Sequence, residues 1–289
     1  MSRPPRLSLV TVSSDDFVPG TIAMLHSFSV FHPEIAADFV VIHDDLSPRS
    51  IDRLTALFPT IAFRPASRDL RERLDRLCSE LPEFTSRRRR FLSVETMLST
   101  GYDKVLFCDS DIIFQGSIDP ALQSISPLVC CGDIAFLDKT GRDTVTFSKA
   151  THSAVPRLMN TFNAGLMVFN GDLCIESNRA ALLSAINPKR WKDIATKHTD
   201  QILFNWQFNG LQEIVGPEFN YLLGHRDQIR RCTGARAEEA RVLHFNGPEK
   251  PWLVPSSPGP TRQSRSGFDP LQEWRRVYDA AIRRSGEGP

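Results

Sequence analysis

The chain has 289 residues, 41% of them hydrophobic, so it can bury a substantial core. Its 35 Lys and Arg nearly cancel its 34 Asp and Glu, and the formal net charge of +1 argues against a protein built to bind nucleic-acid phosphates. Neither a membrane-length apolar stretch nor a Cys-x-x-Cys pair occurs, so we expect a cytoplasmic protein without a disulfide framework or structural zinc.

Apolar and β-branched runs predict a series of short strands, at residues 7–12, 39–43, 60–63, 104–108, 128–131 and 165–169. Helical stretches alternate with them: residues 20–31 follow a helical period, and Ser47 with Pro48 offers an N-cap and a proline at the first helical position. This alternation predicts an α/β fold with a mainly parallel central sheet flanked by helices on both faces. The cysteines in these apolar runs are expected to be buried; they are Cys108, Cys130 and Cys131.

The composition changes after Trp252. Residues 254–267 are rich in Pro, Ser, Gly and Arg, as linkers are, and residues 269–284 place apolar side chains at helical spacing with arginines on the other face. We predict one domain over residues 1–253, followed by a linker and an amphipathic helix over residues 254–289. The helix either packs on its own domain, which we favour, or contacts an anionic membrane peripherally on its inner face.

Asp109-Ser110-Asp111 directly follows the predicted strand at residues 104–108. Two carboxylates one residue apart, at the end of a strand, can converge on one hard cation. Ligands of such sheets bind at the carboxyl ends of the strands, so Ser13 to Asp16, at the end of the first strand, are expected at the same crevice.

The same pattern also opens the site of haloacid-dehalogenase-like phosphohydrolases, in which Asp109 would be the nucleophile. Asp133 and Asp138 resemble the second acidic motif of that family. We rank this alternative lower because its motifs should lie farther apart, and because Ile113 stands where that family has a hydroxyl residue or valine.

Three further segments combine polar residues with apolar runs. Residues 242–252 contain the pattern His-x-x-Gly-x-x-Lys-Pro-Trp, residues 162–170 begin Phe-Asn-Ala-Gly, and residues 198–205 contain Asp200 and Gln201 at a predicted helix start. Taken singly, an Asn-Ala-Gly is typical of a tight turn and Asp200 of an N-cap. The spacing around His244 is far more specific than either of these patterns.

Together these four segments resemble glycosyltransferase family 8, the group that contains glycogenin and bacterial lipopolysaccharide α-glycosyltransferases. The resemblance covers about residues 7 to 252, with the blocks in the family's order. It implies a GT-A fold, a UDP-hexose donor, Mn²⁺, and retention of the anomeric configuration.

The resemblance also implies roles for individual residues. It assigns the metal to Asp109, Asp111 and His244, and the diphosphate to Gly247 and Lys250. The other expected contacts fall into three groups: Ser13, Ser14 and Asp15 near the uridine; Ser110 near the ribose; and Asn163, Ala164, Asp200 and Gln201 around the donor sugar.

Two positions depart from the family's pattern or leave a choice. The family has a basic residue before its Asp-x-Asp, and among Arg87 to Arg90 we favour Arg90. It also often has an acid just before Asn-Ala-Gly, where this chain has Met159-Asn160-Thr161. The sugar contacts that the resemblance implies at that segment therefore lack this acid.

The sequence thus predicts a retaining hexosyltransferase that moves glucose or galactose from a UDP-sugar to a glycan, lipid-linked or protein acceptor. A divalent cation and Lys250 would stabilise the charge on the leaving diphosphate. Two carboxylates with an imidazole suit Mn²⁺ best, with Mg²⁺ as the alternative. The third alternative, a non-catalytic nucleotide-sugar-binding protein, is disfavoured because the metal ligands and Lys250 are all present.

Retention of configuration leaves two mechanisms open. In a double displacement, Asp200 or Gln201 would be the nucleophile beneath the anomeric carbon. Glutamine is a poor nucleophile, so we favour front-face attack by the acceptor, in which Gln201 and neighbouring dipoles, including Asn163, stabilise an oxocarbenium-like state.

Overall fold

The computed structural model describes residues 6–150, 156–194, 198–254 and 267–284. Its strands are β1 Leu7–Val12, β2 Ala37–His43, β3 Ala62–Pro65, β4 Lys104–Cys108, β5 Ile112–Phe114, β6 Leu128–Gly132, β7 Arg142–Asp143, β8 Arg157–Leu158, β9 Phe162–Asn170, β10 Gln212–Val215, β11 Tyr221–Leu222 and β12 Val242–His244. Its helices are α1 Val18–Phe31, α2 Pro48–Leu57, α3 Arg68–Glu80, α4 Asp119–Gln123, α5 Ile134–Leu137, α6 Glu176–Ala185, α7 Pro188–Trp191, α8 Asp200–Phe208, α9 Arg226–Thr233 and α10 Pro270–Arg284. Segments of 3₁₀ turns complete the chain, the longest being Pro82–Leu98.

A seven-stranded sheet in the order β10-β6-β9-β4-β1-β2-β3 forms the centre of the fold. All six predicted strands belong to it, and the pairs β1–β2, β1–β4, β2–β3 and β6–β10 are parallel. The predicted α/β architecture with a mainly parallel sheet is therefore confirmed. The N-cap at Ser47 is present too, since its side chain accepts a hydrogen bond from the Ser50 amide at 3.3 Å.

One strand, β9, runs antiparallel to both of its neighbours, β4 and β6. The reason lies in the connection from β6 to β9. Its described residues, 133–150 and 156–161, contain only short elements and no helix long enough to cross the face of the sheet. The chain therefore begins β9 at the same end of the sheet at which β6 finishes. The amino end of β9 consequently lies beside the carboxyl ends of the parallel strands.

Side chains alternate between two cores, one on each face of the sheet. Val10, Val105 and Phe107 contribute to a core that also contains residues of α3, α6 and α8. Leu9 and Leu106 point to the opposite core, with residues of α1 and α2. Because both faces are covered, the strands read as continuous apolar runs rather than as alternating ones. The three cysteines in those runs are at most 1% exposed, as expected.

A smaller sheet, in the order β11-β12-β5, extends the fold beyond the end of β4. Its strands are only two or three residues long, too short for the sequence pattern to reveal. β12 pairs antiparallel with β5, and this register places His244 opposite Ile112. The second sheet thereby brings a residue from late in the chain next to Asp109-Ser110-Asp111.

The C-terminal helix α10 packs on the rest of the chain with its apolar face. Trp274, Val277 and Ala281 are at most 5% exposed, and the Trp274 ring lies 5.7 Å from that of Trp252. The apolar stripe is therefore covered by protein, as the favoured interpretation requires, and is not free to enter a bilayer. The predicted linker lies almost entirely outside the described residues. Within the described chain, no helix has both the length and the apolar character needed to cross a membrane.

Candidate functional site

The ends of three neighbouring strands form the floor of the site. β1 and β4 run parallel with Val10 opposite Phe107, so the residues after β1 lie beside Asp109. The Asp109 amide donates to the Gly165 carbonyl at 2.8 Å, which fixes the start of β9 against the end of β4. The sequence-based expectation that Ser13 and Asp109 share one crevice is consistent with this register.

Three potential metal ligands, Asp109, Asp111 and His244, form what we call the metal cluster. One ligand atom from each lies within 4.8 Å of the others. The His244 Nε2 atom is 3.2 Å from Asp111 Oδ1 and 3.5 Å from Asp109 Oδ2. The Phe245 amide donates to the Asp111 carbonyl at 2.9 Å, so the β5–β12 pairing continues to the cluster and holds it together.

Hydrogen bonds of defined direction orient the His244 ring. The Gly165 amide donates to Asn163 Oδ1 at 2.9 Å, so this oxygen is an acceptor and the Asn220 nitrogen 2.8 Å away must donate to it. The remaining amide oxygen of Asn220 then accepts from His244 Nδ1 at 2.9 Å. With its proton on Nδ1, the neutral ring turns the lone pair of Nε2 toward the two carboxylates, as a metal ligand requires.

The same chain of amides continues to Gln201. Asn163 Nδ2 donates to Gln201 Oε1 at 3.0 Å, and Gln201 Nε2 donates to Asp133 Oδ2 at 3.1 Å. We call Asn220, Asn163 and Gln201 the amide chain. Since a backbone amide and a carboxylate fix the direction of its bonds, Gln201 has a single orientation.

Glycines make the close approaches at the floor feasible. A Cβ atom on Gly165 would lie 2.3 Å from the His244 ring, and one on Gly20 would lie 2.3 Å from the Ser110 carbonyl oxygen. Gly247 differs, since a Cβ there would meet only the Glu249 amide nitrogen, at 4.0 Å. Only glycine therefore fits at positions 165 and 20, whereas Gly247 has open space around it.

Burial and the neighbouring charges shift the pKa values of the three residues of the metal cluster in different directions. Burial and the neighbouring Asp111 raise the pKa of Asp109. Burial acts on Asp111 in the same direction, but His244 and Lys250 outweigh it and lower the pKa of that carboxyl. Burial lowers the pKa of His244, yet Asp111 outweighs it and raises that pKa. A divalent cation would relieve the carboxylate repulsion, so these residues fit a metal site.

Lys250 reaches the cluster from the segment after β12. Its Nζ atom lies 2.5 Å from Asp111 Oδ2 and donates to the Phe245 carbonyl at 2.8 Å. Trp252, two residues on, packs edge-on against Phe17 with ring centroids 5.3 Å apart. The His-x-x-Gly-x-x-Lys-Pro-Trp segment thus combines a candidate ligand, a mobile cation and a packing anchor.

Asp200 and Gln201 lie at the start of α8, with Thr199 at the N-cap position. Burial raises the pKa of Asp200, and the positive charge of Arg90 opposes that shift. Arg90 also acts on Asp109. In contrast, Arg88 pairs with Asp44 and Asp75, and Arg89 pairs with Asp45. Arg88 and Arg89 are thus engaged by acids outside the metal cluster, while the choice of Arg90 as the residue near the donor stays a prediction.

Of the residues expected near the nucleotide-sugar donor, four are buried and a fifth, Asp15, forms hydrogen bonds elsewhere. Ser13 and Ser14 are buried, the Ser13 hydroxyl lies 2.8 Å from that of Thr21, and Ser110 and Ala164 are buried as well. The Asp15 carboxylate instead accepts from the Ser47 amide at 3.0 Å and from the Ser47 hydroxyl at 2.9 Å, at the start of α2.

Asp133 and Arg142 support the site, and the sequence did not indicate how. Asp133 is 2% exposed and accepts from Arg142 Nε at 2.5 Å and from the Thr161 hydroxyl at 2.8 Å. It also caps α5, because the Phe136 amide donates to its carboxylate at 2.9 Å. Asp133 therefore ends the amide chain and is not the second acidic motif of a phosphohydrolase. The only sequence signal for Asp133 was its place as an N-cap residue directly before the apolar residues of α5.

A second cluster of possible ligands consists of His32, Glu34 and Asp119. The Ile118 amide donates to His32 Nε2 at 3.2 Å, so the ring's proton must be on Nδ1, which faces Asp119 at 3.2 Å. Nδ1 then has no lone pair for a metal. The His32 ring is therefore neutral, and its approach to the Asp119 carboxylate is a polar contact rather than an ion pair. The cluster around His244 is the better metal site.

Comparisons with known proteins agree with this geometry. A sequence model of glycosyl transferase family 8 matches residues 8–254. No curated protein matches the chain in sequence. The galactosyltransferase LgtC, solved with donor and acceptor sugar analogues, has a similar structure, with a TM-score of 0.70 and 16% identity over 96% of this chain and 99% of that chain.

Two other glycosyltransferases are also similar in structure. For the bifunctional WbbM the TM-score is 0.65 at 16% identity, covering 98% of this chain and 52% of that chain. For GlyE of Streptococcus pneumoniae TIGR4 it is 0.63 at 13% identity, covering 96% of this chain and 63% of that chain. At such identities the likeness shows the fold, which is the GT-A fold.

Proposed function

The chain belongs to glycosyltransferase family 8, and from that premise we propose that it transfers a hexose from a UDP-sugar to a glycan acceptor with retention of configuration. Family membership removes the basis for the phosphohydrolase alternative. Glycosyltransferases with the GT-A fold use a divalent metal and a nucleotide-sugar donor. Six free thiols fit a reducing compartment, and we keep the cytoplasm as the proposed location.

The observation that carries the proposal is the metal cluster with its fixed histidine. Two carboxylate oxygens and the Nε2 lone pair of His244 converge within 4.8 Å. This mixture of hard oxygen ligands and an imidazole favours Mn²⁺ over Ca²⁺, with Mg²⁺ as the alternative ion. A bound cation supplies Lewis-acid stabilisation of charge on the donor diphosphate.

The residues around the cluster have distinct proposed roles toward the donor. Lys250, now 2.5 Å from Asp111, would turn to the diphosphate once a cation neutralises that carboxylate, and the space beside Gly247 would admit it. Arg90 would face the donor sugar together with Asp200. Ser13 and Ser14 would lie near the uridine and Ser110 near the ribose, while Ala164 would contact the donor sugar. Asp15 would act near the uridine only by leaving Ser47.

The orientation of Gln201 supports a front-face mechanism. Both ends of its side-chain amide are hydrogen-bonded and the residue is 5% exposed, so it holds a fixed dipole rather than an available nucleophile. The bond between the anomeric carbon and the diphosphate oxygen would break while the acceptor oxygen bonds on the same face, its proton passing to the leaving phosphate. Gln201 and Asn163 would stabilise the cationic sugar through their dipoles.

Hydrolysis of the donor without acceptor tests this proposal. UDP release from UDP-glucose and UDP-galactose would be measured with Mn²⁺ and then with chelator, on the wild type and on Asp111→Asn. We expect metal-dependent release that falls about 10³-fold in the variant, since one electrostatic group at such a site contributes about 10²–10³. The preferred sugar would be the one released faster.

Three other outcomes would contradict the proposal, each in a different part. Metal-dependent UDP binding by calorimetry without any release or transfer would indicate a non-catalytic nucleotide-sugar-binding protein. An absence of metal-dependent UDP binding would remove the donor assignment altogether. Trapping a sugar covalently on Asp200 would overturn the front-face mechanism alone.

A further inference from the structure

Two adjoining cavities extend from the amide chain to the surface. The inner cavity, of about 300 Å³, is lined by Asn163 and Gln201 of the amide chain and also by His225 and Gln228. The outer cavity, of about 570 Å³, shares those last two residues and is lined by residues 223–228 and Arg231. The inner cavity has the size of a small ligand site, at the lower end of the usual 300–1,000 Å³. Together they form a path from the candidate reaction centre outward.

The inner cavity suits a neutral sugar ring. His198 and His225 both line it. Burial and the charge of Arg142 lower the pKa of His198 to about 4, and desolvation and the charge of Lys149 lower the pKa of His225. Both rings are therefore neutral near pH 7 and can donate or accept hydrogen bonds with hydroxyl groups. The cations in its wall are already paired, Arg142 with Asp133 and Lys149 with Asp138.

The outer cavity has a different character because α9 lines it. This helix has the sequence Arg-Asp-Gln-Ile-Arg-Arg-Cys-Thr and buries only Ile229. Arg226 and Arg231 face the cavity, opposed by Asp227. Among the salt bridges that the described residues form, none includes either arginine. Two guanidinium groups are thus available there, and guanidinium binds phosphate and carboxylate oxygens well.

We propose that the acceptor is a glycan with an anionic substituent, a phosphate or a carboxylate, which Arg226 and Arg231 bind in the outer cavity. The sugar that receives the transferred hexose then occupies the inner cavity, beside Gln201. This assignment rests on the proposed transferase function and names the class of its acceptor.

The arrangement also explains why an anion would improve reactivity and not only affinity. An acceptor anchored in the outer cavity has its neighbouring ring directed to the inner cavity, where the neutral ring of His225 offers a partner for its hydroxyls. Anchoring a remote group in this way positions the reacting oxygen. A neutral acceptor would lack the anchor and would occupy the inner cavity less often.

Small sugars that differ only in charge can test the proposal. Affinities of glucose 6-phosphate, galacturonate, glucose and inorganic phosphate would be measured by ligand-observed NMR, on protein saturated with UDP and Mn²⁺. We expect glucose 6-phosphate or galacturonate to bind at least about tenfold more tightly than glucose, the effect of one or two charge-assisted hydrogen bonds. Inorganic phosphate should bind more weakly than glucose 6-phosphate, because it leaves the inner cavity empty.

The same helix supplies a matched control. Arg226→Gln and Arg231→Gln should each remove most of the preference for the anionic sugar, whereas Arg230→Gln, an exposed neighbour that does not line either cavity, should keep it. All three arginines are exposed, so these variants should fold.

Equal affinity for charged and neutral sugars would overturn the proposal. So would equal losses in all three variants, or inorganic phosphate binding as tightly as glucose 6-phosphate. Calorimetry of UDP with Mn²⁺ on the same samples separates this failure from that of the donor assignment, because the arginine variants should leave UDP affinity unchanged.

Discussion

The metal cluster and the cavities beyond Gln201 are built in different ways. At the cluster, short paired strands and hydrogen bonds of fixed direction hold every candidate ligand, and glycines leave room for little else. The cavities are walled by α9 and by the segment between β6 and β9, with exposed arginines at their mouth. A reaction centre needs fixed geometry, whereas the choice of acceptor can be set by exposed charged side chains on a surface helix.

The pair of Asp133 and Arg142 lies where these two regions meet, and removing it should have the largest effect on stability. Arg142→Met would leave the Asp133 carboxylate buried without a counter-ion, at a cost of about 3 kcal/mol in the free energy of unfolding. Urea unfolding would measure the loss. Gln201 should then be held less firmly, because Asp133, the acceptor of its side-chain amide, would lose the cation that pairs with it.

Two controls accompany that substitution. Asp133→Asn combined with Arg142→Met should recover much of the stability, since no unpaired charge remains. Arg89→Met breaks a pair of which both side chains are about half exposed or more, and it should cost below about 1 kcal/mol. If Arg142→Met costs no more than Arg89→Met, the buried pair does not support the site as described.

Asn220→Ala should disturb the metal cluster without touching a ligand. It removes the acceptor for His244 Nδ1, so the ring can rotate and change tautomer. Loss of such a partner typically lowers metal affinity 10- to 100-fold. Calorimetry with Mn²⁺ would detect the change. Asn178→Ala removes an amide that binds the Leu173 carbonyl in another part of the fold, and it should leave Mn²⁺ affinity unaltered.

The smallest expected effect comes from His198, which lines the inner cavity and should make the free energy of unfolding depend on pH. Its pKa is lowered from 6.5 to about 4 in the folded chain, so the unfolded chain takes up the proton first as the pH falls. The contribution of His198 to the free energy of unfolding is present above pH 6.5 and is lost progressively toward pH 4. Between pH 7 and pH 6 this contribution should change by less than about 1 kcal/mol. Thermal unfolding of the wild type and His198→Gln would show it: the variant should have the flatter profile. Parallel curves would show that this histidine is protonated equally in both states.

Much of the fold could be predicted from the sequence alone. Continuous apolar runs specify strands that are covered on both faces, and Ser47 with Pro48 specifies the start of α2, because these signals are local. The site residues Asp109, Asp111, His244 and Lys250 were recognisable from their spacing and from the resemblance to the family. Their roles toward a donor remain predictions.

Other features depended on the tertiary structure. The reversed direction of β9 follows from how the chain returns after β6, and the two- and three-residue strands of the small sheet leave no periodic signal. The link from His244 through Asn220, Asn163 and Gln201 to Asp133 joins residues 24 to 68 positions apart in sequence. The sequence by itself determined which side chains were present, because strand and cap signals are local. Only the fold decided which of them meet, since long-range hydrogen bonds form once packing has fixed the backbone.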